Sequence, residues 1–221
     1  MNSTTIKAYK GIGMEGMIAK WYAANTRKSL DDYKDLARRV AEELSPESRI
    51  LEIAPGPGYF AIELAKLGNF RIVGIDISKT FVEIARRNAV EAGVEVDFHL
   101  GDAAQMPFEN ETFDFLFCRA AFKNFAKPLG ALNEMHRVLK AGGRGLILDL
   151  RRDSSRESIN EEANKMGLNL VNRAITKLIF HFVLLKRAYT KSEFQQFFSQ
   201  TNFRSLDIQE FPIGLEIQLE K

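Results

Sequence analysis

Ile50, Leu51 and Ile53 form a short apolar run, followed by Pro55-Gly56-Pro57-Gly58 and then by Phe60, Ala61, Leu64, Ala65 and Leu67 at helical spacing. The run reads as a buried strand over 49–54, the Gly/Pro stretch as a turn, and the spaced residues as a helix. That unit recurs. Arg71–Asp76 is a second buried strand, and Ser78 opens a helix with Phe81, Val82, Ala85 and Ala89 inward, stopped by Gly93. Val94, Val96 and Phe98 alternate as a third strand ending near Gly101-Asp102. Phe113–Cys118 is a fourth, followed by a helix from Pro128 whose stripe is Leu129, Leu132, Met135, His136 and Leu139. Gly142-Gly143 ends that helix and Gly145–Leu150 is a fifth strand. Such alternation with short connections predicts a parallel sheet covered on both faces.

The two ends depart from the rhythm. Met17, Ile18, Trp21 and Tyr22 fall at helical spacing, which predicts either a helix packed on the domain or a flap over a ligand. Ser29 is placed to cap the next helix, with Tyr33, Leu36, Val40 and Leu44 inward and Arg38 and Arg39 on a solvated face. Downstream, residues 151–163 are polar, and 166–188 carry an apolar helical stretch with Ile175, Leu178, Ile179, Phe182 and Leu185. Thr190-Lys191-Ser192-Glu193 is a capping box before Phe194, Phe197 and Phe198. Phe203–Glu210 and Ile213–Leu219 alternate apolar and polar as an antiparallel edge pair. The expected fold is therefore α/β: an open, mostly parallel seven-stranded sheet with helices on both faces and an antiparallel edge strand.

At 221 residues, 45% apolar and 27% charged, the chain has the make-up of one ordinary globular domain. A net charge of +2 gives no electrostatic reason to expect nucleic acid as a partner. Cys118 is the single cysteine, so no internal disulfide forms and a metal cluster is not expected. Met1–Lys7 has no apolar signal core, and Leu178–Leu185 falls far short of the roughly 20 residues of a membrane span. A cytoplasmic protein without stable membrane insertion is the expectation.

A glycine-rich turn between strand and helix lets a ligand approach the backbone, because Gly56 and Gly58 carry no Cβ. The N–H groups and dipole of the following helix favour a carboxylate or phosphate. Glu52, Asp76 and Asp102 lie at or beside the C-terminal ends of successive strands, where open parallel sheets bind ligands. Asp76 stands roughly 20 residues beyond the turn, where an acid holds a ribose hydroxyl pair. A nucleotide-like ligand is expected. Gly56-Pro57-Gly58-Tyr59-Phe60-Ala61 also fits the dinucleotide fingerprint, which keeps a nicotinamide-dependent oxidoreductase open.

Glu52-Ile53-Ala54-Pro55-Gly56-Pro57-Gly58 resembles the first motif of the class I S-adenosylmethionine-dependent methyltransferases. Gly74–Ser78 is similar to their second motif, Gly101–Phe108 to their third, and Phe113–Leu116 and Val138–Gly143 to their fourth- and fifth-strand motifs. The resemblance covers about residues 46–150, and 189–221 at the level of strand order. Ala54 departs from the usual glycine, and Lys140-Ala141 from the usual Lys-Pro. Arg119–Phe125 lacks the histidine often found there in small-molecule members. It also lacks the Asn/Asp-Pro-Pro-Tyr/Phe signature of enzymes that methylate amide or exocyclic amino nitrogens.

The resemblance implies a Rossmann-like methyltransferase fold, S-adenosylmethionine as cofactor and no metal. Residues 1–45 become an N-terminal helical flap, 46–150 the cofactor-binding core, 151–188 a helical substrate cover, and 189–221 the closing helix and strand pair. Ala54, Gly56, Gly58 and Tyr59 would line the methionine part. Glu52 would order the turn or meet the cofactor's ammonium. Asp76 would accept the ribose hydroxyls, with Ile77 against the adenine. Asp102 would take the adenine amino group or cap residues 103–106, with Ala103 supplying an N–H. Cys118 and Arg119 would begin the loop facing the sulfonium.

The implied reaction is an in-line displacement of methyl, which needs proximity and water exclusion more than a base. No base is legible. His99 ends a strand, His136 lies on an amphipathic helix, His181 sits in the apolar insertion, and Tyr9, Tyr22 and Tyr189 are comparable candidates. Tyr9, Met14, Trp21, Tyr22, Phe122 and His181 are the candidates to line the methyl acceptor, expected to be a small, largely apolar molecule. The insertion helix reads equally as core, as a dimer interface, or as a membrane-surface helix flanked by Lys177, Lys186 and Arg187. The competing functions are a non-catalytic cofactor-binding protein and the oxidoreductase.

Overall fold

The computed structural model describes residues 9–10, 13–165 and 184–221. Most of the apolar insertion, His181 included, lies outside them. Five strands run parallel: β1 (Arg49–Ile53), β2 (Arg71–Asp76), β3 (Asp97–Leu100), β4 (Phe113–Arg119) and β5 (Leu139–Leu150). A hairpin of β6 (Ser205–Glu210) and β7 (Gly214–Glu220) completes a seven-stranded sheet of order β3-β2-β1-β4-β5-β7-β6. β7 is antiparallel to both its neighbours, so the hairpin turns back and leaves β6 at the edge. Chain progression reverses between β1 and β4, and a crevice opens at such a reversal above the strands' carboxyl ends.

Alternation along the strands divides the core. Ile50, Phe115 and Phe117 face α2 (Leu30–Glu42), α3 (Tyr59–Ala65) and α4 (Lys79–Ala92), where Phe60 stacks on Phe117 at 3.8 Å. Leu51, Ile53, Leu116 and Cys118 face the other way, onto α5 (Pro128–Val138) and α7 (Lys191–Phe198). α6 (Arg156–Lys165) follows β5. Ser78 caps α4 by accepting from the Phe81 N–H at 3.1 Å, and Gly93 closes it at φ 68°. The Thr190–Glu193 capping box is present.

Four expectations are corrected. Ser29 makes no capping bond, because α1 (Gly16–Thr26) passes through a 3-10 turn directly into α2. The third strand begins at Asp97, after Val94 and Val96. β5 already begins at Leu139 and runs through Gly142-Gly143, with a register shift between Phe113 and Phe115 on its partner strand. α1 buries small residues: Ala19 and Ala23 pack on Phe81 and Ile84, while Met17 and Trp21 stand 85% and 67% exposed.

Candidate active site

β1 ends at Ile53, and Ala54 turns the chain at φ 56°, its N–H donating to the Ile75 carbonyl at 2.8 Å. A non-glycine residue is uncommon in that left-handed region, so the backbone here is held by its surroundings. Gly56 follows at φ 55° with no atom within 4 Å of where a Cβ would stand. Gly58 differs, because a Cβ there would lie 2.7 Å from the Phe98 ring and 3.0 Å from Ala85. The first glycine borders open space, and the second leaves room for Phe98 and Ala85 beside the start of α3.

Glu52 and Asp76 are both buried beneath this turn. Glu52 Oε2 accepts from the Ala61 N–H in the first turn of α3 at 3.0 Å. Burial, with a smaller push from Asp76, raises its pKa to about 8, while the Ala61 N–H and Arg119 lower it. Asp76 accepts from the Gly56 N–H at 2.9 Å and the Ser78 N–H at 2.8 Å, so it locks the turn to α4. Burial raises its pKa to about 6 against those hydrogen bonds. Two N–H donors leave further acceptor capacity on a carboxylate, which offers about four lone-pair sites. Ile77 beside it is 41% exposed, an apolar shelf at the mouth. Asp102 closes a tight turn by accepting from Ala104 N at 2.9 Å. It caps that turn and not a helix, with Ala103 packed on the core below.

Arg119 ends β4 on the same sheet face as Glu52. Its guanidinium lies 4.5 Å over the Tyr33 ring, and its Nη1 is buried without a hydrogen-bond partner. No carboxylate pairs with it among the described residues. Buried donors are almost always satisfied, so an orphaned one beside an open turn suits an anionic ligand group. Cys118, one residue earlier, points to the opposite face and is 1% exposed, with its thiol pKa pushed up by burial. The loop residue facing the site is therefore Arg119 and not Cys118. Tyr59 lies under α1, donating to the Ala23 carbonyl at 2.9 Å. Phe122 sits in the core against Phe125, Tyr189 and Phe194.

The N-terminal segment packs on the start of α4 and on the loop after β4. Glu15 accepts from the Lys79 and Thr80 N–H groups at 2.9 and 3.1 Å, and Ser78 Oγ donates to the Met14 carbonyl at 2.6 Å. Tyr9 bridges to Phe125, and the Lys10 N–H donates to the Asn124 carbonyl at 2.8 Å. Lys10 Nζ is hydrogen-bonded to the Tyr189 hydroxyl. Tyr9 and Tyr22 face inward with phenol pKa values raised by burial. Trp21 does not join them. His99 bonds Asp97 on an exposed strand end, and His136 packs on Phe203.

One buried pair escaped the sequence reading. Lys123 Nζ lies 2.7 Å from Asp149 Oδ1, and Asp149 also accepts from the Lys123 and Leu150 N–H groups. The signal was present: a lone Lys in Ala121–Phe125, in the 3-10 turn after β4, and a lone Asp in Leu146–Leu150, on β5, are isolated charges among largely apolar neighbours. The described residues hold no candidate metal cluster and no helix long and apolar enough to cross a membrane. A polar cleft beside Glu43, Arg144 and Glu216 lies at the other end of the sheet, away from these groups.

A family profile described as a methyltransferase domain matches residues 51–147, from β1 to β5. Residues 51–147 are a methyltransferase domain of the S-adenosylmethionine-dependent class. Demethylmenaquinone methyltransferase from Deinococcus radiodurans is 34% identical over 150 residues, 65% of this chain and 62% of that protein. The Thermus thermophilus protein of the same name is 39% identical over 116 residues, 51% of this chain and 53% of that one. The chain thus spans about half to three fifths of these relatives' length. A solved SAM-dependent methyltransferase from Aquifex aeolicus superposes with a TM-score of 0.65 at 17% identity, covering 86% of this chain and 97% of that one. At that identity the likeness is one of fold, and the fold includes the β6–β7 hairpin that ordinary dinucleotide sheets lack.

Proposed function

We propose that this chain transfers a methyl group from S-adenosylmethionine to a small, largely apolar acceptor, and that the acceptor is quinone-like. The observation that carries the cofactor reading is the unpartnered Arg119 Nη1 beside Glu52. An amino-acid tail brings a carboxylate for the first and an ammonium for the second. A pyrophosphate meets the opposite conditions, because the Glu52 carboxylate already occupies the first turn of α3. When bound, S-adenosylmethionine supplies a methyl on a positively charged sulfur, a group already activated to leave. Asp76 accepts the ribose hydroxyls with its remaining lone pairs, Ile77 covers the adenine, and Asp102 and Ala103 hold its edge. Gly56 leaves room for the methionine part. Tyr9, Tyr22 and α1 exclude water and align the acceptor, which is the main work a displacement of this kind asks of a protein.

The acceptor class rests on the curated relatives, named for demethylmenaquinone, and on the aromatic residues that border the loop after β4. Calorimetric titration with S-adenosylmethionine, S-adenosylhomocysteine and NADH tests the cofactor, and a methyl-transfer screen of naphthoquinols, phenols and amines tests the acceptor. Micromolar binding of the first two ligands and none of NADH is expected. Binding of NADH alone would overturn the reading. Binding of S-adenosylmethionine with no turnover on any of the acceptors would favour a non-catalytic cofactor-binding protein.

A further inference from the structure

α1 is turned inside out relative to an ordinary surface helix. Its inward face carries Ala19 and Ala23, with Tyr22 edge-on against Phe81, and packs on α4. Its outward face carries Met17 and Trp21 one turn apart, 85% and 67% exposed, with Ile18 beside them at 46%. Large apolar side chains adjoining on one exposed helix face mark an interaction surface more than scattered single ones do. The charge on the segment itself has one sign. Lys20, Arg27 and Lys28 are exposed on the same segment, and no Asp or Glu occurs from Gly16 to Leu30. None of the three cations pairs with a carboxylate among the described residues.

We infer that this face of α1 docks on an anionic lipid bilayer, with Trp21 and Met17 in the headgroup–acyl boundary and the three cations among the headgroups. An indole is at home at that depth, and basic residues near it add attraction to anionic lipid. A second copy of the chain is the poorer occupant. A two-fold contact through α1 would bring the same three cations together, with no acid on Gly16–Leu30 itself to offset them. Because α1 also packs on the start of α4 and on Tyr59 beside the candidate turn, docking brings that side of the molecule to the membrane. The inference concerns a surface and does not depend on methyl transfer.

Trp21 is the single tryptophan of the chain, so its emission reports this face alone. The full chain is titrated with mixed phosphatidylglycerol–phosphatidylcholine vesicles and with phosphatidylcholine alone. Emission should move to shorter wavelength with the anionic vesicles, be quenched by brominated acyl chains, and return on adding salt. Replacing Lys20, Arg27 and Lys28 by Gln should weaken partitioning on the order of a hundredfold, at about 1 kcal/mol per cation. Met17→Ser should weaken it in co-sedimentation while leaving the melting temperature unchanged. Unshifted emission with anionic vesicles would overturn the proposal. So would emission already short in buffer, which means the protein covers this face itself, and so would a lipid-free shift that grows with protein concentration, which means self-association. Cofactor titration of the same samples reports separately on the site, so the two readings fail independently.

Discussion

Gly56→Ala and Gly58→Ala should fail in different ways, although the two glycines are two residues apart in one turn. At Gly58 the added methyl lies 2.7 Å from the Phe98 ring and 3.0 Å from Ala85, with φ at 78°. The left-handed backbone costs an alanine about 1–2 kcal/mol. Overpacking against a buried ring and a helix adds about 1–3 kcal/mol. The stiffer unfolded chain returns about 0.4–1 kcal/mol. The net loss is about 2–4 kcal/mol, or roughly 5–15 °C in melting temperature for a domain of this size. At Gly56 the same backbone cost applies at φ 55°, but the methyl meets no protein atom. Its net loss is about 1 kcal/mol, a few degrees. The methyl enters the space assigned to the methionine part, so affinity for S-adenosylhomocysteine should fall by tenfold or more. Thermal melts followed by circular dichroism and calorimetric titration separate the two effects. If Gly56→Ala binds the ligand as tightly as the parent, the open side of the turn is not the cofactor's. If Gly58→Ala melts with the parent, the packing account is wrong.

Arg119→Met should weaken S-adenosylhomocysteine binding roughly 10- to 150-fold, the loss of one charged hydrogen bond of about 1.5–3 kcal/mol. Methylthioadenosine, which lacks the amino-acid tail, should bind unchanged, and an equal loss for both would remove Arg119 from the tail subsite. Glu52 is held protonated up to about pH 8, and a cation bound beside it lowers that value. Binding should therefore release protons at pH 7 and tighten as pH rises toward 8, a slope that Glu52→Gln should abolish; calorimetry in buffers of different ionisation enthalpy reads it. Since the native pKa lies above the ordinary 4.5, the native state holds this proton more tightly than the unfolded chain, and stability from this group falls as pH rises from about 4.5 to about 8. Lys123→Met strands the buried Asp149 carboxylate and should cost about 3–5 kcal/mol in urea unfolding, much of it recovered in the double variant with Asp149→Asn. A single-variant cost under about 1 kcal/mol would mean that the carboxylate finds water.

Much of the fold was legible because its signals are local. Ile50–Ile53, Arg71–Asp76 and Phe113–Cys118 are apolar runs that buried parallel strands require, and Ser78, Gly93 and Thr190–Glu193 are end signals with one structural outcome. What was not legible depends on partners far away in sequence. Met17 and Trp21 fit a buried stripe as well as Ala19 and Ala23 do, and spacing alone does not tell which side meets Phe81 and Ile84. The start of β5 at Leu139 follows from its pairing with Phe113, which no property of Leu139-Lys140-Ala141 announces. The glycine spacing of the turn was visible, but the division of labour within it was not, because Phe98 reaches Gly58 from a different strand.

Strand alternation also decides which chemistry the site offers. Successive residues of β4 point to opposite faces, so Cys118 enters the core with Leu116 while Arg119 rises beside Glu52 and Tyr33. A one-residue slip would bring a thiol to the crevice and bury a guanidinium, so register sets the sign of charge at the site. Glu52 acts likewise from β1. By reaching the Ala61 N–H it satisfies one donor that the start of α3 would otherwise offer to a phosphate, and it puts an acid where a dinucleotide needs none. The same Gly-x-Gly spacing thus serves two ligand classes, and the residue six positions before the second glycine selects between them. Glu52→Ala should free that N–H without creating a dinucleotide site, because Arg119 and the buried Asp76 remain matched to a shorter, carboxylate-ended ligand.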